Sequence, residues 1–139
     1  CKQMFSSAST HQERTMKVGD VYKMERVFGA AEVAEYARLG GDSNPIHVNE
    51  AAAADANLPG CIVHGMLYAG LFPAIIGSSQ PGSRYLSQTL NFRAPVPVGH
   101  TVRAEVHVKK VSGTRAILET KCYTIPPGEG FEGEEQLVL

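Results

Sequence analysis

The stretch Gly41-Asp42-Ser43-Asn44-Pro45-Ile46-His47 carries the residue types most suited to chemistry. It sets a carboxylate, Asp42, and an imidazole, His47, on either side of Asn44-Pro45. Proline fixes its own φ and moves the preceding residue out of the helical region, so the link is short, bent and stiff. A stiff link suits two groups that must meet on one small molecule, because a misplacement near ~1 Å costs about 10²-fold in rate. Imidazole can take and return a proton near neutral pH, and a neighbouring carboxylate can orient it or hold a water. Asp42 and Asn44 also have a plainer reading as turn formers, since Asp, Asn and Pro are common in turns.

The elements around this stretch must position it. Val18-Gly19-Asp20 reads as a turn, and residues 21–28 have strand character. Gly29 opens a helix over residues 30–39, with Val33, Tyr36 and Ala37 on one apolar face. Gly40-Gly41 ends it, because glycine accepts the left-handed conformation at a helix C-terminus. Asp42 therefore emerges just past a helix end. Asn49 can cap a short alanine-rich helix over 50–56. A longer helix is expected over 63–76; it is apolar on nearly every side and so should be buried. Pro73 should kink it or break its last turn, with a loop over 77–82.

Strands follow. Residues 85–92 alternate in part, and Ala94 to Gly99 is a turn-rich connector. Residues 101–111 alternate well, with Val102, Ala104, Val106 and Val108 on one face and Arg103, Glu105, His107 and Lys109 on the other. Ser112-Gly113 is a turn, 116–125 the next strand, 126–135 a Gly/Pro-rich loop, and 136–139 the start of a last strand. The fold class is α+β, with a curved antiparallel sheet packed around the buried helix. Such a sheet has an open edge, which a homodimer can pair.

The totals bound the function. A chain of 139 residues with 43% apolar residues is most simply one domain with a real core. A net charge of -1 gives no sign of a nucleic-acid partner. No apolar run approaches a membrane span. Three widely spaced cysteines, Cys1, Cys61 and Cys122, suggest free thiols in a reducing interior, with Cys61 and Cys122 buried and inert. No Cys/His cluster suggests zinc. Residues 1–15 are polar, Ser-rich and nearly free of acids, as in a disordered leader or the remnant of a transit peptide, and residues 16–139 form the domain.

Three blocks carry a family resemblance. Gly41 to His47 resembles the Gly-Asp-x-Asn-Pro-x-His signature of the MaoC-like, (R)-specific enoyl-thioester hydratases and dehydratases. Ile62-Val63-His64-Gly65-Met66-Leu67 resembles the start of that family's central helix. Asn91 to Gly99 resembles its Phe-x-x-Pro-Val-x-x-Gly turn. The resemblance departs at Gly40, where the family often has Ser or Thr, and at His100, where it usually has Asp. At Pro73 some members carry a small polar residue, so a hydrogen bond from that position is in doubt here.

The resemblance implies a hot-dog fold, usually dimeric, and reversible syn addition of water to a trans-2-enoyl thioester. It places Asp42 and His47 as the catalytic pair, and Asn44 as a residue that can fix one of them. Gly65, at the start of the apolar helix, becomes the candidate backbone donor to the thioester oxygen. His64 beside it can touch substrate or simply be packed. Leu67, Tyr68, Leu71 and Phe72 can line an acyl slot or belong to the core. No metal or bound cofactor is required. The carrier is coenzyme A or acyl carrier protein; Arg84, Arg93, Arg103, Lys109 and Lys110 are scattered cations for an acidic carrier. A mitochondrial leader favours the 3-hydroxyacyl-(acyl-carrier-protein) dehydratase step of fatty acid synthesis. Otherwise, in cytoplasm or peroxisome, an (R)-specific enoyl-CoA hydratase of β-oxidation or polyhydroxyalkanoate supply fits. A hot-dog thioesterase and a non-catalytic acyl-thioester binding module are the other readings.

Overall fold

Alternation in the chain's second half builds the sheet. The structure, a computed structural model, describes residues 15–128 and 135–139. Strands β1 (Val21–Val27), β2 (Thr101–Ser112), β3 (Arg115–Ile125) and β4 (Gln136–Leu137) lie in that order, each antiparallel to the next. Val102, Ala104, Val106 and Val108 of β2 are all buried, as the period of two requires. On the opposite face Glu105 is also buried, because Lys23, Arg103 and His107 close over it at 2.8, 3.2 and 3.0 Å. β4 is shorter than expected as a strand. Val138 and Leu139 nevertheless continue the pairing through Cys122 and are buried.

All helices lie in the connection from β1 to β2. α1 (Ala30–Gly40) buries Val33 and ends at Gly41, which sits in the left-handed region (φ 76°) and donates its N–H to the Ala37 carbonyl. α2 (Glu50–Asp55) is capped by the Asn49 side chain, which accepts from the N–H groups of Ala51 and Ala52.

The central helix departs from expectation at both ends and within. Ile62 forms a bridge with Pro97, and the Val63 N–H donates to Val96, so helix begins only at Gly65. It then comes in two pieces, α3 (Gly65–Ala69) and α4 (Leu71–Ser79), joined at Gly70. Pro73 explains the joint: lacking an N–H, it leaves the Ala69 carbonyl without its partner four residues on. The break therefore falls before Pro73 and not in the last turn, and Pro73 stands in the first turn of α4, where a missing N–H costs nothing. Gly77, Ser78 and Ser79 belong to this helix, not to a loop. Leu71, Phe72, Ile75 and Ile76 form one buried stripe in the same core as Val102, Ala104 and Val106.

Residues 85–92 are not a strand in this structure. Their alternation is partial, and among the described residues no strand pairs with their backbone. The segment is tied down at its end, where Arg93 N–H donates to the Val138 carbonyl, and Tyr85, Leu86 and Phe92 stand exposed. Cys122 is buried as expected, whereas Cys61 is partly exposed. The reading of residues 1–15 as a leader lies outside the described residues up to residue 14. Among the described residues, no helix is long and apolar enough to cross a membrane.

Candidate active site

The loop after α1 is built by its own polar side chains. Asp42 Oδ1 accepts from the Asn44 N–H at 3.2 Å, and Asn44 Oδ1 accepts from the Ile46 N–H at 3.4 Å. Asn44 itself is extended (φ −56°, ψ 121°), as a residue before proline must be. Pro45–His47 then forms one tight helical turn. The turn-former reading is thus correct for Asp42 and Asn44, and it does not exhaust Asp42. The second carboxylate oxygen, Oδ2, lies 3.9 Å from His47 Nε2. That gap is too long for a direct hydrogen bond and short enough for one hydroxyl to touch both groups.

His47 is held from the other side of the cleft. Its Nδ1–H donates to the Ile62 carbonyl at 2.7 Å. Nδ1 is therefore the protonated nitrogen of the neutral ring, and the Nε2 lone pair faces Asp42. The His47 side chain is 8% exposed and the Asp42 side chain 53%, so the carboxylate stands at the solvent side of the pair. Sequence offers no signal for the Ile62 carbonyl, which is a backbone group brought near by the Ile62–Pro97 bridge.

A cleft of about 590 Å³ opens over this pair. Asp42, His47, His64, Gly65 and Tyr68 line it, together with Tyr36 and the run from Phe92 to Val96. The lining role of Tyr36 and Phe92 was missed by sequence reasoning: Tyr36 read only as a helix-face residue, and Phe92 lay in a block whose resemblance concerned a turn. Leu67, Leu71 and Phe72 do not line this cleft; Leu71 and Phe72 are buried in the core and Leu67 packs against it. An all-apolar helix does not reveal which of its faces meets a cavity. Asn44 acts on the loop backbone and is absent from the cleft wall.

Gly65 opens α3, and its N–H has no acceptor among the described residues. A side chain there would collide with Phe92, whose ring atoms lie 2.6 to 3.0 Å from where a Cβ would be. Glycine is thus required by space and not by an unusual backbone angle. Tyr68 meets Phe92 edge-on at 6.0 Å. Burial, reinforced by Cys122, pushes the Tyr68 hydroxyl up to about 12, so it stays protonated well above neutral pH.

Asp42, His47 and His64 bring one donor atom each within 4.8 Å of one another, a span a metal ion can bridge. The rings do not suit it. They stack 3.7 Å apart at 24°, so their in-plane lone pairs lie in nearly parallel planes. His47 Nδ1 and His64 Nε2 are also both committed to backbone carbonyls.

A helix start on the cleft wall, an imidazole with its Nε2 lone pair toward the gap and a carboxylate across that gap now stand together. The MaoC like domain model matches residues 6–126. The chain belongs to the MaoC-like domain family. An (R)-specific enoyl-CoA hydratase of Aeromonas caviae is 43% identical, covering 91% of this chain and 97% of that one. The tomato (Solanum lycopersicum) protein named 3-hydroxyacyl-(acyl-carrier-protein) dehydratase FERN, mitochondrial, is 38% identical, covering 99% of this chain and 89% of its own. The solved (R)-hydratase from A. caviae involved in PHA biosynthesis superposes with a TM-score of 0.77 at 38% identity, over 90% of this chain and 93% of that one. The fold is accordingly the α+β hot-dog of these MaoC-like hydratases.

Proposed function

We propose that this MaoC-like protein reversibly hydrates trans-2-enoyl thioesters to (R)-3-hydroxyacyl thioesters, with Asp42 and His47 as the catalytic pair and the Gly65 N–H as donor to the thioester oxygen. The observation that carries this is the 3.9 Å gap between Asp42 Oδ2 and a His47 nitrogen whose lone pair is free. A water seated there contacts both groups. As its oxygen bonds to C3, His47 Nε2 takes one proton, the double bond's electrons move toward the carbonyl, and a proton from the pair reaches C2 on the same face. Negative charge grows on the thioester oxygen meanwhile, and a fixed amide aimed at that oxygen is worth about 3–4 kcal/mol. The relatives' names, hydratase and dehydratase of such thioesters, support the same chemistry in both directions.

The finer reading is the dehydratase step of mitochondrial fatty acid synthesis, on acyl carrier protein. It is supported by the two plant relatives whose names carry that activity and compartment. Arg93 lines the cleft and has no ion pair among the described residues, whereas Arg103 and Lys109 are paired with glutamates. Arg93 is thus the cation available to an acidic or phosphate-bearing carrier. The working form is a homodimer, supported by exposed Tyr85, Leu86 and Phe92 on a segment that no strand among the described residues pairs.

The test is loss of enoyl absorbance with crotonyl-CoA and with crotonyl-acyl carrier protein, for the parent chain and for His47→Ala. The expected result is turnover that falls by about 10²–10⁴ in the variant with the fold kept. Free thiol release without enoyl loss points to a thioesterase instead, and unchanged turnover in His47→Ala rejects the assignment.

A further inference from the structure

His64 is the most buried polar side chain at the site, 1% exposed, and the reaction as described gives it nothing to do. Its Nε2–H donates to the backbone carbonyl of Asp42 at 3.2 Å. Its ring lies flat on that of His47, 3.7 Å between centroids, and meets Tyr36 of α1 at 4.9 Å. Its own backbone is the cap of α3, so the next N–H in the chain is that of Gly65. One residue therefore touches the carboxylate's backbone, the imidazole's face and the amide's peptide. The other nitrogen, Nδ1, is buried with no hydrogen-bond partner among the described residues. A buried nitrogen left without a partner is costly, and an apolar ring of the same shape would avoid that cost. Packing alone does not account for a histidine here.

We infer that His64 is a positioning residue that locks the two halves of the site in register. The loop 41–47 and the start of α3 are separate elements, joined besides His64 by the Ile62 N–H to the Ile46 carbonyl and the His47 Nδ1–H to the Ile62 carbonyl. Asp42 and His47 must nevertheless meet one face of a thioester whose oxygen is held at Gly65. The His64 donor sets the height of Asp42, and its ring sets the tilt of His47 about the Nδ1–Ile62 bond. In the neutral ring, the Nε2–H that donates to Asp42 leaves Nδ1 with the lone pair.

The inference rests on the hydratase reading, and the test separates the two. His64→Phe keeps the ring stack and volume and removes the donor. His64→Gln keeps a donor near the Nε2 position and removes the stack. With crotonyl-CoA, His64→Phe should lose about 10² in kcat with KM changed by less than about threefold, because a shift near ~1 Å acts on the chemical step. His64→Gln should recover at least a tenth of the parent kcat. Nitrogen NMR of His47 should show the Nδ1–H tautomer in the parent and in His64→Phe, which keeps the ring stack and the Ile62 bond, and a mixture in His64→Gln, which loses the stack. Folded His64→Phe with parental kcat overturns the inference. A parent chain that hydrates no enoyl thioester overturns the hydratase reading instead, and the His47 spectrum still decides the positioning role. If His64→Phe does not fold, His64→Gln decides: a mixed His47 spectrum supports the inference and a parental His47 spectrum overturns it.

Discussion

Gly65→Ala tests the amide donor by space alone. The new methyl falls 2.6, 2.9 and 3.0 Å from three ring atoms of Phe92. Ordinary contact begins at 3.4 Å, so the ring must retreat by about 0.8 Å (3.4 minus 2.6). Overpacking a rigid core costs about 1–3 kcal/mol. Phe92 is held edge-on against Tyr68, so a mid-range cost of about 2 kcal/mol applies. Alanine regains up to about 0.5–1 kcal/mol over glycine in a helix. The net stability change should stay near ~1 kcal/mol, or about 4 °C in Tm for a chain of this size. The rate should suffer far more. The methyl stands beside the amide on the cleft wall and pushes the thioester oxygen off its donor, and loss of one such donor costs about 10²–10³ in kcat. The assay is crotonyl-CoA hydration alongside thermal melting, for Gly65→Ala, Phe92→Ala and the double variant. The double variant should recover the melting temperature and leave kcat low. Full recovery of kcat in the double variant would refute the reasoning, because the methyl would then have acted only through the Phe92 ring.

Arg93→Ala should raise KM about tenfold for substrate on coenzyme A or acyl carrier protein, and leave KM unchanged for the same acyl group on N-acetylcysteamine, which has no phosphate; steady-state kinetics with the three carriers check this. At alkaline pH the fold should weaken. Burial pushes the Cys122 thiol from 9.0 up to about 12, so between those values the unfolded chain has lost a proton that the folded chain keeps. Stability is therefore fully present below pH 9 and is lost as pH rises toward 12, and denaturant titrations of the parent and Cys122→Val should show a shallower alkaline slope in the variant.

The parts of the fold that were legible are those decided locally. Gly41 ends α1 because a left-handed residue is needed there, and Asn49 caps α2 because its side chain reaches its own helix. β2 shows its buried face because alternation repeats over many residues. The parts that were not legible depend on distant partners. The helix start moved from Val63 to Gly65 because Pro97 and Val96 capture Ile62 and Val63. The residues 85–92 lack a strand because strand formation needs a neighbour, which alternation alone does not supply. At the site, Asp42, His47 and Gly65 were visible as letters, and the structure brings them to one cleft. The Ile62 carbonyl that sets the His47 tautomer has no letter, and the assignment of Leu71 and Phe72 to core turns on which side of an apolar helix faces the sheet.

Asp42 is the residue whose two readings most need separating, and its two oxygens make that possible. Oδ1 serves the turn through the Asn44 N–H, and Oδ2 faces His47 Nε2. Asp42→Asn can keep the carbonyl oxygen on the turn and present an amide to His47. That amide donates to the Nε2 lone pair, which is the group that must accept the proton from water. The variant should therefore melt within about 2 °C of the parent, a change below ~0.5 kcal/mol, and lose about 10²–10⁴ in kcat. Asp42→Ala removes both functions. It should lose a similar factor in kcat and, because the turn bond is exposed, only about 0.5 kcal/mol in stability. Melting curves and crotonyl-CoA hydration on both variants decide the matter. If Asp42→Asn turns over within threefold of the parent while Asp42→Ala is slow and less stable, Asp42 does nothing but shape the loop, and the base would have to find its water without a carboxylate.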